Sequence, residues 1–272
     1  MPFVPFSVPG ARSTVIYDWD RGVDGAICLS GSAIDADGRG GTFIAWISPD
    51  GKNSQITRTS PYRPLLVAVA PDDTVWTAGS ESMDIAAFRA SGRTDVSIAA
   101  LLLPGAGVIR HYDRAGRTLG AFVPQSTIHD AMSLSDPGNA LRASGDRIAW
   151  YSAEGRYIEV SLEGKLATDI VVPPPGTSTR PIDGFAITDS GDAFLSASYP
   201  VAGNGSASAH RVGIYVLEKS SRAWKAVLER TVIPGTAPNA GDPNDFGHIY
   251  GVDGNKLVVA GRQRLRFFTI GN

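Results

Sequence analysis

Arginine, aspartate and histidine gather at matching places along this chain. Arg12, Tyr62-Arg63, His129-Asp130, Arg180, Asp183, Asp245 and His248 each stand at, or a few residues ahead of, a β-rich run. The set holds three arginines, three carboxylates and two imidazoles. A guanidinium offers a planar fork that meets a carboxylate or phosphate through two parallel hydrogen bonds, so these residues suit a polar or anionic ligand. They also have a purely structural use. Arg63-Pro64 and Arg180-Pro181 can anchor backbone at equivalent points of two repeats, and exposed ion pairs of that kind contribute only ~0–1 kcal/mol.

Other chemistries find less support. His129, His210 and His248 fall in connecting segments or at their ends, with His111 inside a strand. Three imidazoles can hold zinc with an open position for water, but these spacings match no ligand motif. Asn244, Asp245 and Asp183 are too few oxygens for a calcium cage, which prefers about six or more. Gly203-Asn204-Gly205 and the glycines at 38–41 lack the following helix and Lys-Ser or Lys-Thr pair of a phosphate loop. Ser30-Gly31-Ser32 has no histidine that spacing would pair with it. No catalytic residue, resident metal or cofactor is therefore assigned. With a net charge of -2 and one short basic stretch, Arg262-Gln263-Arg264-Leu265-Arg266, that alternates as a strand does, nucleic acid is not an expected partner.

The elements that must position these groups are strands. Ser7-Val8-Pro9, Phe122-Val123-Pro124, Val171-Val172-Pro173 and Val232-Ile233-Pro234 each close an apolar run with proline, a recurrence that marks a repeat. In the clearest copy, β-rich runs at 139–143, 147–153, 157–162 and 166–172 are separated by Ser144-Gly145-Asp146, Glu154-Gly155 and Glu163-Gly164-Lys165. Glycine in such short breaks supplies the positive φ of a tight hairpin, which predicts a four-stranded antiparallel meander, the shape of one propeller blade. Equivalent sets run at 65–70, 74–80, 107–113 and 118–123, and at 184–188, 192–199, 210–217 and 223–232. A first set is expected at 14–19, 26–32, 42–48 and 54–59, with a type I turn at Ser48-Pro49-Asp50-Gly51. The last, at 248–252, 256–260 and 264–270, is one strand short, and the segment 3–8 with its Val-Pro ending is the expected replacement.

This blade pattern is similar to bacterial β-propellers of the NHL-like and TolB-like kind, and it covers nearly the whole chain. Counted by these sets, with the N-terminal strand closing the last, the chain is expected to be a single all-β propeller domain over 1–272 with five four-stranded antiparallel blades; the resemblance gives six blades as the alternative. It implies no particular activity. In such a meander the links from strand two to three and from four to one leave on one side, and there the long segments fall: 33–41, 81–106, 125–138, 174–183, 201–209 and 235–247. The largest, 81–106, carries Val96, Ile98, Leu101, Leu102 and Leu103 and is expected to fold down as a lid or plug, with a short helix capped by Thr94 or Asp95.

The expected role is a non-catalytic binding or interaction module that shows this face to a protein, peptide or glycan, with Tyr62, Arg63, His129, Asp130, Arg180, Asp183, Asp245 and His248 lining a channel mouth. The competing class is a metal-dependent hydrolase or lyase at the same mouth. No window reaches the roughly 20 apolar residues of a membrane helix, so the chain reads as soluble. No secretory signal stands at its start, although an exported protein stripped of its leader would look the same. Cys28, the one cysteine, excludes an internal disulfide and sits in an apolar strand, as a buried inert thiol does.

Overall fold

The computed structural model describes residues 6–83, 89–92, 101–127, 139–176, 184–201, 209–232, 248–253, 256–260 and 265–269. These residues are almost all strand and turn, and they group into two compact units, Met1–Ser135 and Asp136–Asn272.

The first unit holds two antiparallel sheets, each in chain order. One is β1 (Ala11–Arg21), β2 (Ile27–Asp35), β3 (Gly40–Ile47) and β4 (Ser54–Arg58); the other is β5 (Tyr62–Val69), β6 (Val75–Glu81), β7 (Gly107–Tyr112) and β8 (Thr118–Pro124). Cys28, Ile44 and Trp46 of the first sheet are buried against Val67, Val69, Val75 and Tyr112 of the second. Burial pushes the Cys28 thiol well above its ordinary range, so it stays protonated and inert.

The second unit repeats the pattern. It contains β9 (Ala140–Ser144), β10 (Arg147–Tyr151), β11 (Arg156–Ser161) and β12 (Leu166–Val171), then β13 (Gly184–Ile187), β14 (Ala193–Val201), β15 (Ala209–Glu218) and β16 (Ala223–Val232), and a three-stranded sheet of β17 (His248–Asp253), β18 (Lys256–Ala260) and β19 (Leu265–Thr269). Tyr151, Tyr157, Phe185, Leu195 and Tyr215 belong to one core cluster of this unit. Second and third strands such as β10 and β11 are buried along most of their length, whereas fourth strands such as β12 expose alternate residues. That difference is why the middle strands read as continuous apolar runs.

The predicted strands match the observed ones closely, with three departures. Residues 33–41, expected as a long loop, are instead the ends of β2 and β3 joined by a tight hairpin in which Gly38 takes φ +80 and the Asp35 N–H meets the Arg39 carbonyl. The expected closing strand at 3–8 is not found in its described part: Phe6–Val8 form no strand, the Phe6 ring packs 6.1 Å from Phe43, and the Val8 N–H reaches Thr14 Oγ1 at 3.2 Å. The last sheet accordingly has three strands among the described residues. Third, the insertion at 81–106 begins as an extension of the sheet. Ser82 bridges Leu102, the Met83 N–H bonds the Leu101 carbonyl, and the Leu103 N–H bonds the Glu81 carbonyl. Leu101 is buried, while Thr94, Asp95, Val96 and Ile98 lie outside the described residues.

Candidate binding site

Two of the predicted site residues open β5. Tyr62 is fully buried: its hydroxyl donates to the Val108 carbonyl at 2.8 Å and shares a 3.1 Å hydrogen bond with Thr77 Oγ1, while the Arg110 guanidinium lies 4.1 Å from its ring centroid. Burial raises the phenol far above its ordinary value, so it remains a neutral core group. Arg63 is exposed, with its guanidinium 4.7 Å from the centroid of Tyr17, whose hydroxyl donates to Ser32. His129, Asp130, Arg180, Asp183 and Asp245 lie outside the described residues. His248 starts β17 opposite Ala260, and only its backbone is described.

Beside the start of β5 the first sheet ends in an open cleft of about 450 Å³. Its walls come from the turn before β1 (Val8, Pro9, Gly10), the β2–β3 hairpin (Asp35, Arg39, Gly40, Gly41) and the end of β4 (Ile56, Arg58), with Phe43 in the floor. Hydroxyls tie this end together. The Thr42 N–H donates to Ser60 Oγ at 2.8 Å, and the Thr42 hydroxyl donates to the Tyr62 carbonyl at 2.7 Å, so the cleft and the first residues of β5 are fixed to each other. The link between them carries a cis peptide at Ser60-Pro61.

The charges of the cleft are unevenly committed. Asp35 Oδ1 accepts the Arg39 N–H at 2.8 Å and so holds the hairpin turn. The Arg39 and Arg58 side chains are exposed, and neither has a carboxylate partner among the described residues. Arg58 runs past Gly41, where an added Cβ would stand 3.5 Å from its Nε, an ordinary contact. Two forks without a carboxylate partner among the described residues, set over an apolar floor, can receive a negatively charged group attached to an apolar one.

The other end of the same sheets is built differently. Arg114, in the β7–β8 turn, reaches Asp24 in the β1–β2 turn at 2.6 Å and Asp73 in the β5–β6 turn at 3.3 Å, and stacks 4.9 Å over Trp46. The Ala26 N–H, followed by Arg114, holds the Asp24 carboxyl below its ordinary range. In the second unit, Glu159 is buried but satisfied by Tyr157 and Thr168 hydroxyls and by Lys219 at 2.7 Å, a structural knot. That unit also has a smaller groove of about 300 Å³ between Phe194, Ile214, Leu228, Leu257 and Phe268.

Reading only the starts of first strands missed Arg39 and Arg58, which belong to a two-to-three turn and the end of a fourth strand. The Asp37-Gly38 pair is a hairpin signal that could have placed Arg39 at a strand end.

No protein-family model matches the chain, and no curated protein matches it. Solved structures do resemble it in fold. They include BBS1N in complex with ARL6DN (13% identity, 99% of this chain and 70% of that one, TM-score 0.45), YCF48 from Cyanidioschyzon merolae (10%, 97% and 73%, 0.44) and BamB from Moraxella catarrhalis (13%, 96% and 64%, 0.39). These neighbours are β-propeller proteins. With each TM-score below 0.5, the likeness carries nothing further to this chain.

Proposed function

We propose that the chain is a single propeller domain over 1–272, its five sheets being blades of the NHL-like or TolB-like kind, and that it works as a non-catalytic binding module for a protein, peptide or glycan. The binding face is the end of the sheets from which the four-to-one links emerge. The observation that supports this reading is the open cleft at that end of the first sheet, apolar in its floor and with two arginines at its rim. Arg63 extends the same end at the start of β5. His129, Asp130, Arg180, Asp183, Asp245 and His248 hold the equivalent sequence positions in later repeats and are assigned to the same ligand-binding role.

Backbone amide NMR with a mixed set of peptide and oligosaccharide fragments tests it. Binding should shift amides at 39–43 and 56–63 and return the ligands chemically unchanged. Shifts confined to other parts of the chain would refute the assignment of the face. Conversion of a fragment that stops on chelation and returns with zinc or calcium would instead establish the metal-dependent hydrolase or lyase.

A further inference from the structure

The cleft at the end of the first sheet carries a more specific statement about its ligand. β3 is longer than β4: pairing between them begins at Phe43 with Arg58, and ahead of it the Thr42 carbonyl takes the Thr59 N–H while the Thr42 N–H goes to Ser60. Peptide groups in an antiparallel strand point to alternate sides, so the Gly40 N–H and C=O, two residues earlier, point to this same side. There they lie past the end of β4, in the wall of the cleft. An added Cβ at Gly40 would meet nothing nearer than 3.9 Å, so a second chain can approach the backbone closely. An overhanging strand edge with small residues is the feature to which extended peptides add by backbone hydrogen bonding.

The charges select among such peptides. Arg39 lies in the hairpin next to Gly40, and Arg58 lies across the cleft at the end of β4, both exposed and without a carboxylate partner among the described residues. Asp35, the one carboxylate among the described lining residues, already holds the hairpin through the Arg39 N–H. Below them Phe43 and Ile56 give the cleft an apolar floor. We infer that the cleft binds an extended acidic peptide, with a carboxylate gripped between Arg39 and Arg58, a neighbouring apolar side chain on Phe43 and Ile56, and a backbone pair on Gly40. This rests on the binding-module reading and goes beyond it in naming the ligand chemistry.

The test is fluorescence anisotropy with a labelled hexapeptide of alternating leucine and glutamate and with its leucine–glutamine counterpart. The glutamate peptide should bind saturably, and the glutamine peptide about tenfold more weakly. Arg58→Ala and Arg39→Ala should each weaken the glutamate peptide about five- to tenfold, with Arg58→Lys losing less, since a lysine keeps the charge but not the fork. Both arginines are exposed, so circular dichroism should show the variants folded. Equal affinity for the two peptides would overturn the acidic assignment while leaving a binding module standing. Failure of both peptides to bind, or glutamate-peptide affinity unchanged in both alanine variants, would overturn it as well. Dimers in sedimentation velocity that disappear in Arg58→Ala would assign the cleft to a second copy of this chain and likewise refute it.

Discussion

The two ends of the first sheet treat arginine in opposite ways. At the end of the tight turns, Arg114 is matched by Asp24 and Asp73 from two other turns and is stacked on Trp46, so its charge is spent on holding three hairpins together. At the cleft end, the guanidinium groups of Arg39 and Arg58 have no carboxylate partner among the described residues, and Asp35 beside them is taken by the Arg39 backbone N–H. The strand edges differ in the same sense. The N–H groups of Val67 and Val69, on the outer edge of β5, are taken by Asp18 and Asp20 of β1 at 3.0 and 2.8 Å. Among the described residues the overhang of β3 at Gly40 has no such cover, since the strand beside it stops at Arg58. A charge or an edge that is closed by the chain's own carboxylates is scaffold, and one left open on an apolar cleft is available to a ligand.

The largest effect is expected from a backbone position in the β7–β8 turn. Gly116 takes φ +81 and an added Cβ would stand 1.9 Å from Thr57 Oγ1. Gly116→Ala should therefore destabilise the fold by roughly 2–4 kcal/mol in urea denaturation. At the cleft end Gly38 takes φ +80 but a Cβ there meets nothing within 4 Å, so Gly38→Ala should cost only about 1 kcal/mol, the conformational penalty alone. Asp18→Ala should fall between them at roughly 1–3 kcal/mol, since it leaves the Val67 N–H without its acceptor.

Acid should act on the closed end through His111. Burial lowers its pKa, Nε2 has no hydrogen-bond partner among the described residues, and the ring stacks 4.0 Å from Trp76. The unfolded chain then takes up the proton first. The stability tied to a neutral His111 is present above about pH 6.5 and is lost as pH falls below it. The slope of unfolding free energy against pH in that window should shrink in His111→Gln. The smallest effect is expected for Arg114→Ala, a fall in Tm of no more than about 2–4 °C, because the pairs it breaks are partly exposed.

Much of the fold is legible in the sequence because turn chemistry and strand composition agree. Ser48-Pro49-Asp50-Gly51 forms the expected turn, with Gly51 at φ +72 and its N–H on the Ser48 carbonyl. The runs around Gly145, Gly155 and Gly164 break where those glycines take positive φ. The cleft was less legible for two reasons. The polar residues and glycines of 33–41 look like loop composition, yet cross-strand pairing carries β2 to Asp35 and starts β3 at Gly40. An arginine with no carboxylate partner among the described residues also has the same letter as one with two: nothing local separates Arg58 from Arg114, whose carboxylates are 90 and 41 residues away in sequence. The Asp18 and Asp20 contacts to β5 span 49 residues and are equally silent.

The account stands most directly on one paired titration of the leucine–glutamate peptide against Arg58→Ala and Arg114→Ala. It predicts an affinity about five- to tenfold lower in the first variant and unchanged in the second. Equal losses in the two, or a loss confined to Arg114→Ala, would contradict it.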